Sequence, residues 1–243
     1  MVQLNLKEEN LALSSGVGLA GQAVSLFWEG YAYIAFGMYP DEIINSRLLH
    51  IDGYDTEAAA FAARTAQKNG IPVSLDVDTV YPGFEAVLKH VDFLVAGSGW
   101  PAKWTGETDP FLALNRLQRE YHFKVAAMTV GDSGALALQD NQWFYSPAFQ
   151  VSCVDTTGAG DAFHGAFCYA MVRGLPLDSA LEFSNAAAAL NCTAIGARGH
   201  IPVLLEIEAL LASAAAGNTP RRLLPEMAER CSSLSSGVME VKA

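Results

Sequence analysis

Apolar and polar positions alternate in a repeating order from about residue 47 of the 243-residue chain. Residues 47–51 are a short apolar run. Residues 56–69 are alanine-rich, with Asp55 placed to cap a helix and Gly70 and Pro72 placed to stop it. The pattern then predicts a buried strand over 71–77, a short helix over 84–90 and another strand over 91–96. Asp109 followed by Pro110 supplies an N-cap and a first helical residue for a helix to about 121, and 124–130 returns to strand. Strands that recur after helical crossovers predict βαβ units, and hence a mostly parallel sheet with helices on both faces.

The pattern changes after Gly131. Residues 135–139 and 142–145 flank Asp140-Asn141, which predicts a hairpin with a two-residue turn, and 149–154 reads as one more strand. Residues 159–173 are apolar nearly all round and end at Gly174 with Pro176 beyond, the pattern of a buried helix. An alanine-dominated helix over 177–193 and a last helix over 203–214 follow. From residue 217 the Ser-, Pro- and Arg-containing sequence has little periodicity and reads as a flexible tail. The organisation expected is an N-terminal segment at 1–46, an α/β core at 47–216 and the tail at 217–243, with no internal repeat.

Composition narrows the class. With 51% hydrophobic and 17% charged residues the chain buries a sizeable core, and 15 basic against 26 acidic residues give a net charge of −11. Such a balance argues against a nucleic-acid binder that works through bulk positive charge, so an anionic ligand must be held by helix N-termini or a metal ion. Cys153, Cys168, Cys192 and Cys231 form no CxxC pair, which suits a reducing, cytoplasmic setting without a structural zinc. Residues 11–28 lack charge, but Ser14, Ser15, Gln22, Ser25 and three glycines interrupt them, so neither a membrane span nor a secretory signal is expected. Gly16-Val17-Gly18-Leu19-Ala20-Gly21 satisfies GxGxxG. Without a strand before it and a full helix after it, it reads as a Gly-rich lead-in rather than a dinucleotide site.

The densest chemistry is Asp155-Thr156-Thr157-Gly158-Ala159-Gly160-Asp161-Ala162-Phe163, between a strand and the buried helix. Small residues at 158–160 let backbone approach a ligand, and first-turn N–H groups with the helix dipole make an anion hole. A carboxylate there can take a proton from an attacking hydroxyl while the N–H groups stabilise a transferring group. The same residues also suit an aspartate that merely caps a helix after a Gly-rich turn, and local physics leaves both readings open.

This segment closely resembles the second signature of the ribokinase-like (PfkB) carbohydrate kinases. The match continues through His164-Gly165-Ala166-Phe167, Asn185 to Ala189 and Gly196-Ala197-Arg198-Gly199-His200-Ile201-Pro202, and includes Asp52-Gly53, Asp76-Val77-Asp78 and Thr129-Val130-Gly131-Asp132-Ser133-Gly134. The resemblance implies a ribokinase-like α/β fold and transfer of the ATP γ-phosphoryl group, with Mg²⁺, to a small-molecule sugar hydroxyl. It implies Asp161 as the base and Gly158, Ala159 and Gly160 as the anion hole. Thr129 and Gly131 fall beside the nucleotide, and Asn185 on a helix near the adenine, where a satisfied helix polar group is the plain alternative. It further implies a monovalent cation, potassium, beside the anion hole at Asp155, Thr157, Asn191, Ala194, Gly196 and His200, several acting through backbone carbonyls. His200 stands where relatives often have Ser or Gly.

Two departures qualify the resemblance. The Asn-x-x-Glu element that follows the strand at 91–96 in the family, and helps organise magnesium and phosphate, is here Gly97-Ser98-Gly99-Trp100. The family's opening strand, sugar-contacting aspartate and Gly-Gly motif are not recognisable, leaving a truncated or altered lid around 25–38. The leading expectation is an ATP-dependent sugar kinase; the second is a nucleotide-binding homologue of weak or no activity. The sugar is not readable, and an exposed edge at 27–36 offers a route to a homodimer. Asp76 and Asp78 alternate at a strand end, where open α/β sheets bind ligands. His50, His90, His122 and His164 read as scattered, with no metal cluster among them, and Trp100 and Trp104 as one face of a short helix.

Overall fold

The computed structural model describes residues 43–236, together with the backbone of four N-terminal strands: β1 (Val2–Leu6), β2 (Glu9–Leu13), β3 (Phe27–Trp28) and β4 (Tyr31–Ala32). The 16–21 glycine motif and most of the expected lid lie outside the described residues. The strands β1 and β2 pair antiparallel as a separate hairpin.

The main sheet continues with β5 (Leu48–Ile51), β6 (Val73–Val77), β7 (Phe93–Gly97), β8 (Val125–Thr129), β9 (Ala135–Gln139) and β10 (Gln142–Ser146). Its spatial order is β10-β9-β8-β7-β6-β5-β4-β3, so every strand lies beside its neighbour in sequence. From β4 to β8 the pairs are parallel, and β8, β9 and β10 close the sheet antiparallel. Asp140 and Asn141 both adopt positive φ, 48° and 62°, as the tight hairpin between β9 and β10 requires.

The crossovers are α1 (Thr56–Lys68), α2 (Glu85–Leu88), α3 (Trp100–Thr105) and α4 (Pro110–Tyr121). Asp55 accepts from the Ala58 amide and Asp109 from those of Phe111 and Leu112, so both sequence-predicted caps form. Trp100 and Trp104 stack at 5.3 Å on one side of α3. Leu49, Ile51, Val73, Leu75, Leu94 and Met128 point to the face these helices cover. Leu48, Phe93, Val95, Val125 and Ala127 point to the other, which is covered by α5 (Ala159–Val172), α6 (Leu177–Asn191) and α7 (Leu204–Ala215). Burial on both faces is why these strands read as unbroken apolar runs.

Two expectations need correction. Of the strand expected over 149–154, only β11 (Ala148–Phe149) forms, paired with β12 (Arg221–Arg222), and 150–155 runs on as loop to the site. The expected flexible tail is instead folded as far as α8 (Pro225–Ser235). Its Met227, Cys231 and Leu234, spaced i, i+4 and i+7, pack onto the first core layer. Arg230 grips the Asp109 carboxylate at 2.5 and 2.9 Å, and Ser235 Oγ accepts from the Trp143 amide at 2.7 Å.

Candidate active site

The parallel strands end beside the N-terminus of α5. Gly158, the residue before that helix, has φ +85°, and a Cβ there would lie 2.6 Å from Ala197 Cα, so only glycine fits this close approach of two loops. The Ala159 amide donates to Thr156 O at 3.1 Å. Gly160 is the next residue of the first turn, and its amide has no helical carbonyl four residues back to meet. Asp161, half-buried, completes that turn.

A cleft of about 380 Å³ opens against this turn. Thr129, the last residue of β8, Gly131, in the 3-10 turn that follows it, and Ala159, Gly160 and Asn185 all line it. Five of the sequence-predicted residues, drawn from four elements, thus converge on one cavity. Phe149, Val151, Phe163 and Ala188 give it apolar walls, and Asp132 and Arg222 pair at its rim. Asn185 has a second engagement: its Nδ2 donates to Ser146 O at 2.8 Å and lies 3.0 Å from Ser146 Oγ, tying α6 to the end of β10.

The residues expected around a cation form a network next to Gly158. Asp155 accepts from the Thr157 amide and hydroxyl at 3.0 and 2.7 Å through one oxygen and from the Gly196 amide at 2.8 Å through the other. The amides of Thr157 and Gly196, then the Thr157 hydroxyl, hold its carboxyl below the usual carboxylate range. Asn191 Nδ2 donates to the carbonyls of Ala197 and His200 at 3.1 and 2.9 Å, while its Oδ1 is buried without a partner. The His200 ring turns away, with Nδ1 2.7 Å from Thr193 Oγ1 and Nε2 3.3 Å from Glu206 Oε2, so this residue offers the network its carbonyl. Ala194 lies in the same turn region, half-buried.

Residues 40–204, more than half of the chain, match the model of the pfkB family carbohydrate kinases. The chain belongs to that family. It is 40% identical to a ribokinase of Bacillus subtilis over 84 residues, 35% of this chain and 29% of the relative. Among solved structures, a putative ribokinase from Agrobacterium tumefaciens superposes with TM-score 0.69 at 28% identity, covering 75% of this chain and 61% of the other. A ribokinase from Arabidopsis thaliana, complexed with ribose and ATP, gives TM-score 0.61 at 27% identity, covering 71% and 58%. These likenesses establish a ribokinase-like α/β fold for this pfkB chain. The chain spans between 29% and 54% of the length of the first curated relatives it matches.

Against the pfkB pattern, the position of the missing Asn-x-x-Glu element is the end of β7. A Cβ on Gly97 would stand 3.4 Å from Asp78 Cβ, so the acidic residue beside that gap is Asp78. One arrangement escaped the sequence reading: His50, Asp76 and His164 are not scattered but meet, with donor atoms within 4.8 Å of one another. The register carried the signal, since His50 pairs with Ser74 across β5 and β6, and Asp76 shares Ser74's face two residues on. Among the described residues no helix is long and apolar enough to cross a membrane.

Proposed function

We propose that this chain transfers the γ-phosphoryl group of ATP to a hydroxyl of a small sugar. The observation that carries the reading is the cleft shared by Thr129, Gly131, Ala159, Gly160 and Asn185, with Asp161 in the helical turn that closes it. In this mechanism the nucleotide lies between the end of β8 and α6, its terminal phosphate toward the first turn of α5. The Asp161 carboxylate takes the proton of the attacking hydroxyl. The turn at 158–160 supplies backbone N–H dipoles to the charge that develops on the phosphoryl oxygens, a role that electrostatics in a dry cleft favours.

The residues also suit two ions. The orphaned Asn191 Oδ1 and the Asp155 carboxylate are hard oxygen donors of the kind a potassium ion takes, and Asp155, Asn191 and the carbonyls near Ala197 and His200 would hold it. For magnesium, Asp78 beside Gly97 is the candidate carboxylate, which keeps Asp161 for the proton. Magnesium, when bound, neutralises the polyphosphate.

Loss of the Asn-x-x-Glu element favours a second reading, a chain that binds nucleotide with little turnover. A sugar-panel assay of ADP release separates the two. The kinase reading expects sugar-stimulated turnover that Asp161→Asn lowers by about 10²–10⁴-fold, with ATP binding retained. Folded chain that binds ATP but releases no ADP with any sugar supports the second.

A further inference from the structure

The second core layer contains a polar island where β5 and β6 meet α5. Alternation along β5 and β6 sends Leu49, Ile51, Val73, Leu75 and Val77 to the first layer, and so His50, Ser74 and Asp76 to the second. There they meet His164 and Cys168, one turn apart on α5. His164 Nε2 lies 3.0 Å from Asp76 Oδ1. His50 Nδ1 lies 3.2 Å from Ser74 Oγ and 3.5 Å from Cys168 Sγ. His164 is only 5% exposed, and its Nδ1 is buried with no partner. The ring nitrogen that faces Asp76 is Nε2, so Nε2 is the donor His164 turns toward the cluster.

The three side chains converge on one point in the core. One donor atom each from His50, Asp76 and His164 falls within 4.8 Å of the others. The two imidazole centroids are 5.8 Å apart with their planes 38° from parallel. With zinc–nitrogen bonds of about 2.0–2.1 Å, a ring centroid sits about 3.2 Å from the metal, so two rings at a tetrahedral angle on one ion are about 5.2 Å apart. The observed separation is slightly wider, a gap that a small side-chain shift closes.

Burial, and then the neighbouring His164, push His50 down to about 4. Burial pushes the Asp76 carboxyl up, but His164 and then His50 together hold it below the usual carboxylate range. Burial pushes the Cys168 thiol up to about 12. Two imidazoles and one carboxylate are the donors of a divalent transition-metal ion with one position left open, and nitrogen donors disfavour magnesium.

We propose that His50, Asp76 and His164 form a divalent transition-metal site, zinc being the ion that fits best, one helical turn below Asp161. The ion takes the place of the His164–Asp76 hydrogen bond and joins α5 to β5 and β6. The proposal stands apart from the kinase reading, because it concerns binding rather than turnover.

The test is titration of metal-free chain with Zn²⁺ against a chromophoric chelator, and with Co²⁺ followed by visible absorption. Both use a Cys153→Ser, Cys192→Ser background, so that the thiols lining the cleft cannot compete for metal. One ion per chain, a raised Tm on binding and cobalt ligand-field bands without thiolate charge transfer are the expected results. His164→Asn and Asp76→Asn should each weaken binding at least about tenfold, whereas Cys168→Ser should leave it unchanged. Should either variant fail to fold, His50→Gln takes its place. Absence of stoichiometric binding, or affinity unmoved by these ligand substitutions, overturns the site and leaves a hydrogen-bonded core pair.

Discussion

Asp155 and Gly196 are joined at 2.8 Å, carboxylate to amide, across the gap between the loop that enters α5 and the loop that leaves α6. The contact fixes the turn on which Gly158 and Asp161 stand. The amide donors depress the folded-state pKa of Asp155 below its unfolded value, so its stabilisation is present above the unfolded carboxylate pKa of about 3.9 and is lost as pH falls through the folded value. Asp155→Ala should therefore lower Tm near neutral pH, with a gap to the parent chain that narrows in acid. A gap independent of pH would count against the carboxylate as its source.

Gly158→Ala should damage both stability and the site. The residue has φ +85°, and its new Cβ would meet Ala197 Cα and O at 2.6 and 2.9 Å, backbone atoms that cannot rotate away. Positive φ alone costs a non-glycine residue about 1–3 kcal/mol, and the clash adds to it. Urea unfolding measures the first effect, and ATP titration of the folded fraction the second.

Asn185→Ala should separate support from contact. The amide holds Ser146 O in the core, and losing this hydrogen bond costs about 0.5–1.5 kcal/mol. If the residue acts mainly as this tie, denaturant midpoints fall while ATP affinity changes less than in a Thr129 variant. The reverse ranking would mark Asn185 as a nucleotide contact.

The C-terminal helix offers a contrast in magnitude. Leu234 is 9% exposed against the first core layer, and Leu234→Ala should cost about 2 kcal/mol or more. Arg230 and Asp109 leave about a third of their side chains exposed, at 34% and 31%, so solvent screening limits Arg230→Ala to about 0.5–1 kcal/mol. Equilibrium unfolding of the two variants tests this ranking, and equal, negligible losses would mean that α8 contributes nothing to the fold.

What the sequence disclosed depended on how local each signal is. Asp55, Asp109 and the Asp140-Asn141 turn act within four residues, and each forms as read. The signature at 155–163 also reads correctly as a strand-side loop entering a buried helix, because small residues and dense apolar positions carry that information locally. The meeting of His50, Asp76 and His164 was hidden because it needs strand register and the placement of α5, set by packing across more than a hundred residues. Helix α8 was overlooked because its three-residue apolar stripe is diluted by serine, glutamate and arginine, and gains meaning only against Trp143 and the α4 cap.

The unreversed strand order also bears on how the chain is made. Right-handed crossovers between successive parallel neighbours keep α1 to α4 on one side, so among the described residues 43–146 no helix covers the reverse of the sheet. During synthesis Leu48, Phe93, Val95 and Val125 form a bare, sticky surface on the nascent polypeptide until residues 159–215 leave the ribosome. The helix that bears Asp161 is thus also the first piece to shield that surface, so substitutions that slow its docking should raise the yield of insoluble protein before they alter any ligand.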